Sequence, residues 1–420
     1  MYHIREERMN ILFVHEVDWV KKPVYDLHFV AEGLSLRGHH VYAIDYEDKW
    51  KRSSFFDFGT LKTREFRGVS RAFPGASVDV RRPGFIKIPG LSRISAAFTT
   101  YLEIRRTICE KKIDAIVLYS VPTTGLQTIS LAKKFKIPVL FRSIEIYNRL
   151  VPYRSLRPIT KLIEKRVYST VDAVLPNTPQ YQKYVISMGV PESRTILLPF
   201  PMDTGLFRPG VDTSEVRQKW GLKENEPVIV FIGTLFDFCG LDEFISNFPK
   251  VIKEIPAAKL LIVGDGMLRP KLESIIRELN LQDRIIITGF QPYRTMPEYI
   301  NLATICINTF LVSEENMDIF PAKIMQYVAC GKATVATALR GISTILPGES
   351  HGVVYSASPA EMVGEVIALL KSPERRQRLG EAGVSQIRGK YSYDKIAEGL
   401  EIILQESIKE KHRDTANKRT

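Results

Sequence analysis

The sequence predicts an α/β protein of two Rossmann-like, doubly wound parallel-sheet domains that face a cleft. Its 420 residues exceed what one hydrophobic core usually serves and suit two domains of ordinary size. Short β-branched runs alternate with helical stretches along nearly the whole chain, which is typical of parallel strands joined by crossover helices. Three prolines and a glycine interrupt this alternation at 199–209, where we predict the start of an interdomain linker.

The first half of the chain contains six near-continuous apolar runs, which fit strands that are buried on both faces. The predicted strands are 11–16, 41–46, 115–120, 139–144, 173–178 and 195–200. Helical patterns lie between them at 26–37, 126–135 and 159–169. We therefore predict an N-terminal domain at residues 1–203.

The second half repeats this plan, and we predict a C-terminal domain at 204–391. Its strand candidates are 228–233, 259–264, 284–289, 304–309, 334–338 and 353–356. A last helical stretch at 393–409 follows the point where the second sheet should be complete. The polar tail 411–420 is predicted to be disordered. Ligands of such domains bind at the carboxyl ends of the strands.

The composition indicates a cytoplasmic globular protein. The hydrophobic fraction of 45% and the charged fraction of 25% are ordinary for such proteins. No apolar run reaches the roughly 18 residues that span a bilayer, and the N-terminal apolar stretch is too short for a signal peptide. The four cysteines form no CxxC pair, which argues against a disulfide framework or a zinc site. Because the histidines also lack ligand spacing, we expect no metal.

The net charge of +12 indicates an anionic partner. Between Leu61 and Lys112, twelve basic residues outnumber four acidic ones, and the segment 82–93 mixes apolar with basic residues as an interfacial segment would. A second basic cluster lies on and before the helix predicted at 159–169. We predict docking on an anionic membrane; the alternative is a solvated basic face that aids solubility or attracts anionic donors. No nucleic-acid partner is expected, because no aromatic motif is interleaved with the basic residues.

The strongest chemical signal is the segment 320–337, FPAKIMQYVACGKATVAT. A proline in its first turn and a glycine at its end predict a helix that follows the strand at 304–309. The helix N-terminus, near Phe320 and Ala322, would then lie at the ligand edge, where its free N–H groups suit a diphosphate. Lys323 opposes the helix dipole there, which is explained if an anion lies nearby. A solvated lysine is the alternative.

Two polar residues flank this helix start. Asp318 could accept hydrogen bonds from sugar hydroxyls, or it could cap the helix. Gln326, eight residues later, could accept from a ribose diol, or it could be a half-exposed helix residue.

Glycine turns follow two successive strands of the second half. Gly233 and Thr234 come after the strand at 228–233, and Gly264 and Gly266 come after the next one. Glycine after a strand is usually only a turn, but in succession these residues predict a rim that cradles phosphate.

Several segments, taken in order, resemble glycosyltransferase family 4, the retaining enzymes of the GT-B fold. The resemblance covers nearly the whole chain and includes a final helix, here 392–410, that returns to the first domain. It places Phe290 in the predicted donor site. The matching segments are LRGHHV at 36–41, EKRVYSTVDAV at 164–174, GVP at 189–191, DTGLFRP at 203–209, VGDGM at 263–267, TGF at 288–290 and MPEY at 296–299.

This resemblance implies transfer of a sugar, with retention at the anomeric carbon, from a UDP-, GDP- or ADP-sugar to a hydroxyl of a glycan or lipid-linked acceptor. No cofactor or metal is implied. Lys323 would neutralise the diphosphate, Asp318 would hold the donor sugar and Gln326 the ribose. Glu145 and Arg142 would face the acceptor, or they would form a structural ion pair.

The chain also departs from the family pattern. Ile144 stands where the family has a histidine, and Thr234 and Cys239 stand where it has arginine and lysine. Asp318 and Gln326 replace its E-x7-E pair, so the chain resembles a subgroup with FPxKxxQYxAxG. A phosphorylase, an epimerase and a non-catalytic sugar-nucleotide-binding subunit of a membrane glycan assembly remain alternatives.

Overall fold

The computed structural model describes residues 8–22, 24–47, 57–88, 91–121, 124–151 and 154–417, and it divides into two compact units. The first unit comprises the chain up to Pro201 together with the residues from Tyr393 onward. The second unit comprises the residues from Met202 to Ser392, so the division falls two residues before the predicted boundary.

A seven-stranded sheet forms the centre of the first unit, in the order β3-β4-β2-β1-β5-β6-β7. Its neighbouring strands are parallel, except that β3 pairs with β4 in the antiparallel direction. The strands are β1 (Asn10–Val14), β2 (His40–Ile44), β3 (Arg64–Val69), β4 (Val78–Arg82), β5 (Ala115–Leu118), β6 (Val139–Ser143) and β7 (Ala173–Pro176).

Helices cover both faces of this sheet. Alternate side chains of β1 separate the two cores: Ile11 and Phe13 belong to one, and Leu12 and Val14 belong to the other. The first core lies under α1, and the second lies under α2 to α5. These helices are α1 (Asp26–Leu36), α2 (Ser92–Lys111), α3 (Gly125–Phe135), α4 (Arg157–Thr170) and α5 (Pro179–Ser187).

The second unit contains a six-stranded parallel sheet in the order β10-β9-β8-β11-β12-β13. Because the chain builds outward from β8 and then returns to its other side with β11, the topological switch point lies between these two strands. The strands are β8 (Val228–Ile232), β9 (Lys259–Val263), β10 (Ile285–Ile287), β11 (Ile305–Asn308), β12 (Thr334–Thr337) and β13 (Val353–Ser356). The helices are α6 (Ser214–Lys219), α7 (Leu241–Glu254), α8 (Arg269–Glu278), α9 (Met296–Leu302), α10 (Ala322–Ala329), α11 (Arg340–Ser343), α12 (Pro359–Lys371) and α13 (Pro373–Lys390).

The last helix, α14 (Tyr393–Asn417), packs beside α1 in the first unit. Its residues Ile396, Leu400 and Leu404 complete the core on that face of the sheet. Glu401 accepts hydrogen bonds from Arg37 and, at 2.9 Å, from Nε2 of His39.

The tail predicted as disordered at 411–420 is helical as far as Asn417. This stretch contains neither glycine nor proline, and Lys411 Nζ pairs with Asp172 Oδ1 at 2.5 Å, so α14 continues where low hydrophobicity indicated disorder. Residues 418–420 lie outside the described part of the chain.

The strand predictions differ from the structure in two places. The segment 195–200 forms no strand, because Pro199 within it and Pro201 after it have no N–H to donate to a ladder; it joins β7 through one bridge between Val174 and Thr195. Conversely, β3 and β4 were not predicted, because their sequences REFRGV and VDVRR are too charged to form an apolar run.

Basic side chains that were expected to contact a membrane are buried in ion pairs. Arg82 is 5% exposed and donates hydrogen bonds to Asp18 and Asp45. Arg81 and Lys87 are also buried, and their acidic partners are Glu65, Glu103 and Glu110 for Arg81 and Glu47 and Asp57 for Lys87. The segment 82–93 therefore does not present Arg82 or Lys87 to a membrane surface.

Candidate functional site

The candidate site lies at the carboxyl ends of β8 and β11, on the two sides of the switch point. Ligands of open parallel sheets bind in this position. The Phe231 ring belongs to β8, and the Phe310 ring follows β11. Lys323, in the first turn of α10, reaches between them: its Nζ lies 4.2 Å from the Phe231 ring centroid and 4.4 Å from the Phe310 ring centroid.

The Lys323 ammonium has no hydrogen-bonding carboxylate among the described residues. The two rings attract the cation through their π faces, but they do not replace its hydration. Burial therefore lowers the pKa of Lys323 to about 7, and the nearby Cys239 opposes this shift only weakly. An anionic ligand would restore the charged form.

Glycine at position 233 makes room for this lysine. A Cβ at Gly233 would collide with Lys323 Nζ, and the backbone there has a φ of +144°. Because Gly233 has no side chain, it leaves space in the predicted site for the Lys323 ammonium.

Gly264 and Gly266 have a different role from the predicted phosphate cradle. A Cβ on either residue would collide with the backbone of the loop after β8, at Gly233 and Leu235 respectively. The N–H groups of Gly233 and Gly266 already donate within these loops, to Val263 O and to Asp265 Oδ1. These glycines therefore allow two loops to pack closely.

The start of α10 faces the same edge. Pro321 occupies the N-cap position and Ala322 is the first helical residue, so the first N–H groups of α10 have no partner within the helix. Phe320 packs against the core of the second unit, and Thr234 is half-buried at the end of the β8 loop. Phe290 lies after β10 and is 68% exposed.

Asp318 precedes α10 and does not cap it. Its Oδ1 accepts from Arg340 Nε at 3.0 Å and from Arg340 Nη2 at 2.9 Å. This arginine comes from α11 and was not identified from the sequence. Arg340 brings a second cation close to the candidate donor-sugar residue.

Gln326 lies one helical turn after Lys323 on α10, so the two side chains share a face of the helix. Its side chain is hydrogen-bonded to Tyr293. Asp318, by contrast, lies outside the helix.

Arg142 and Glu145, which were expected to act together, have different surroundings in the first unit. Arg142 is fully buried and pairs with Asp26, with Nη2 at 2.5 Å from Oδ2, and it does not pair with Glu145. Glu145 is exposed after β6; desolvation by its surroundings raises the pKa of its carboxyl, and Lys22 opposes that shift. The expected acceptor-side pair of Arg142 and Glu145 was therefore wrong.

His15 and Tyr25 lie at the carboxyl edge of the first sheet and were not singled out from the sequence. His15 follows β1, its Nε2 is hydrogen-bonded to the Tyr25 hydroxyl at 3.1 Å, and burial lowers its pKa to about 3. Its Nδ1 is buried without a hydrogen-bond partner among the described residues. The signal that could have revealed it is a histidine directly after a buried parallel strand.

The described part of the chain contains no group of three or more histidine, cysteine, aspartate and glutamate side chains that could hold a metal ion.

Two family models match the chain, one in each unit. The "Glycosyl transferase 4-like domain" matches residues 27–201, and "Glycosyl transferases group 1" matches residues 212–386. Both models describe glycosyltransferases, which supports membership of group 1 of these enzymes. The resemblance identified from sequence segments is thereby supported at the level of the family.

The curated relatives of this chain are named for different acceptors. The D-inositol 3-phosphate glycosyltransferase of Segniliparus rotundus is 25% identical over 250 residues, which is 58% of this chain and 54% of the relative. The chain thus spans about half the length of that relative. A GDP-mannose-dependent alpha-(1-6)-phosphatidylinositol monomannoside mannosyltransferase of Mycobacterium tuberculosis is 23% identical over 376 residues, covering 89% of this chain and 91% of the relative.

The predicted GT-B fold is confirmed by solved structures. Anabaena HepE in complex with UDP has a TM-score of 0.70 and 17% identity, with 95% of this chain and all of that chain covered.

Proposed function

We propose that this chain transfers a sugar, with retention at the anomeric carbon, from a UDP-, GDP- or ADP-sugar to a hydroxyl group of a glycan or lipid-linked acceptor. The observation that carries the proposal is the Lys323 ammonium, which lies at the switch point between two aromatic rings. A half-buried cation beside a helix N-terminus attracts an anion of the diphosphate type. The GDP-mannose dependence of a relative and the UDP bound to a structural neighbour support this donor class.

Negative charge develops on the departing diphosphate when the bond from its oxygen to the anomeric carbon breaks. Lys323 and the first N–H groups of α10 would stabilise that charge, and the Thr234 hydroxyl would add a donor. The acceptor oxygen then attacks the anomeric carbon from the same face. The proton of the acceptor hydroxyl passes to the leaving phosphate, so no protein base is needed to accept it.

The remaining candidates divide between donor and acceptor. Gln326, one turn from Lys323, would accept from the ribose diol, and Asp318, fixed by Arg340, would accept from the donor sugar. Glu145 would orient the acceptor from the first unit.

A thermal-shift panel of UDP-, GDP- and ADP-sugars tests the proposal, combined with an assay for nucleotide release. A bound donor at a hundred times its Kd stabilises the protein by about 2.7 kcal/mol. Binding with acceptor-dependent release is the expected result. Binding without any turnover would instead indicate a non-catalytic subunit, and release of sugar phosphate on adding phosphate would indicate a phosphorylase.

We predict that turnover needs no divalent metal, because helix N–H groups and Lys323 supply the positive charge at the diphosphate. EDTA should leave the initial rate unchanged, and magnesium or manganese added afterwards should not raise it. A rate abolished by EDTA and restored by either ion would contradict this prediction.

Gln326→Ala should weaken donor binding by about fivefold and leave turnover at saturating donor nearly unchanged, because one ribose hydrogen bond of roughly 1 kcal/mol is lost. Donor titration by fluorescence or calorimetry measures the effect. Gln377→Ala, which changes an exposed glutamine on α13, is the control. Unchanged donor affinity would remove Gln326 from the donor site.

The acceptor is proposed to lie at an anionic membrane, with the protein peripheral on its cytoplasmic face. The net charge of +12 and the relative that acts on a phosphatidylinositol mannoside support this location.

A further inference from the structure

Three neighbouring helices of the first unit expose apolar side chains. α2 packs beside α3, and α3 packs beside α4, over the same face of the sheet. Phe98 is 62% exposed and Leu162 is 70% exposed, whereas large apolar side chains are usually buried in the core of a folded protein. The exposed residues, which we call the apolar patch, are Ile94, Phe98, Leu102, Leu126, Ile159 and Leu162.

The patch follows helical spacing. Ile94, Phe98 and Leu102 are four residues apart and form one stripe along α2. Ile159 and Leu162 are three apart on α4. Because each of these helices connects parallel strands, each begins at the carboxyl edge of the sheet. All members except Leu102 lie in the first half of their helix, so they gather toward that edge.

Exposed basic side chains adjoin the patch. Lys161, Lys165 and Arg166 lie on the exposed surface of α4, and none of them forms an ion pair with a residue in the described ranges. The only acidic side chain on α3 or α4, Glu164, is buried. Arg105 continues the stripe of α2. The surface therefore combines an apolar centre with basic side chains, and α3 and α4 expose no acidic side chain beside them.

We propose that the apolar patch and the basic side chains of α4 form a docking surface for an anionic lipid bilayer. The proposal rests on the proposed membrane location of the acceptor and names the surface that achieves it. Apolar side chains enter the boundary of headgroups and acyl chains while basic ones meet lipid phosphates. A second copy fits less well, because α3 and α4 expose no acidic side chain that could pair with Lys161, Lys165 and Arg166 of the other copy across a two-fold contact. Within the described residues, no helix is long and apolar enough to cross a bilayer.

Vesicle co-sedimentation tests the surface directly. The full chain should bind equimolar phosphatidylglycerol and phosphatidylcholine vesicles at low salt, bind phosphatidylcholine vesicles poorly, and lose binding as salt is raised. Lys161→Gln/Lys165→Gln/Arg166→Gln should weaken binding roughly a hundredfold, since each basic residue adds about a factor of five near an anionic surface. Ile94→Ser/Phe98→Ser/Leu162→Ser should weaken it about tenfold or more.

The matched control removes three exposed charges from the second unit, as Lys223→Gln/Lys253→Gln/Arg277→Gln, and should bind like the unchanged protein. No binding to the anionic vesicles at low salt, or equal losses in the control, would overturn the docking surface. A dimer that only the serine variant dissociates would assign the patch to self-association instead. Sugar transfer to a water-soluble acceptor, measured in the same variants, should proceed at the rate of the unchanged protein. If neither the unchanged protein nor any variant transfers sugar, the proposed reaction is rejected, but the vesicle-binding result still tests the docking surface.

Discussion

Lys323→Ala should lower turnover by roughly 10²–10³-fold, the effect of losing one preorganised electrostatic contact. The fold should survive, because Lys323 is half-buried in the first turn of α10 and belongs to neither unit's apolar core. Steady-state rates with the best donor of the thermal-shift panel measure the effect. Lys271→Ala, which removes an exposed lysine paired with Asp242 on the neighbouring α7, is the control and should keep its rate. A near-normal rate for Lys323→Ala would place the diphosphate elsewhere.

The pH profile checks the same residue independently. Burial disfavours the ammonium of Lys323 and lowers its pKa to about 7, so the free enzyme carries the cation below that pH and loses it above. We therefore expect kcat/KM to fall about tenfold per pH unit above pH 7. In Lys323→Ala this fall should disappear. A fall that persists in the variant would belong to another group.

Arg142→Met should lower the free energy of unfolding of the first unit by about 3–5 kcal/mol, because it leaves a buried carboxylate uncompensated. Asp26 is 1% exposed, and the Arg142 guanidinium also donates to the carbonyls of Leu198 and Pro199, which would lose their donors. Urea unfolding followed by tryptophan fluorescence measures the change, with Trp19 in this unit as a buried probe.

A double variant separates the ion pair from general packing damage. Asp26→Leu/Arg142→Met removes both charges and should be less destabilised than Arg142→Met alone. Equal destabilisation of the two proteins would show that the carbonyl contacts, and not the uncompensated Asp26, dominate the loss.

Much of the fold could be predicted because parallel strands that are buried on both faces are apolar throughout. The runs around β8 and β9 show this clearly, since every residue of β8 is buried. β4 could not be predicted in this way. The pattern of its sequence places Arg82 as an exposed charge, whereas in the fold Asp18 and Asp45, 64 and 37 residues away in sequence, pair with it. A one-dimensional pattern does not contain that convergence.

The candidate site was partly predictable for a similar reason. Lys323 was recognised because a cation in the first turn of a helix opposes the local dipole. Its surroundings could not be recognised, because Phe231, Phe310 and Gly233 come from other elements and meet it only in the folded unit. Arg340 was missed for the same reason.

The position of α14 has a consequence for synthesis on the ribosome. Ile396, Leu400 and Leu404 join α1 in covering one face of a sheet whose first strand begins at Asn10, so that face stays partly uncovered until these residues have been synthesised. The second unit, by contrast, is continuous from Met202 to Ser392 and has emerged in full before α14 does. The second unit can therefore complete its core before the first unit does. Until then the first unit exposes part of its apolar core, which is a surface that chaperones recognise.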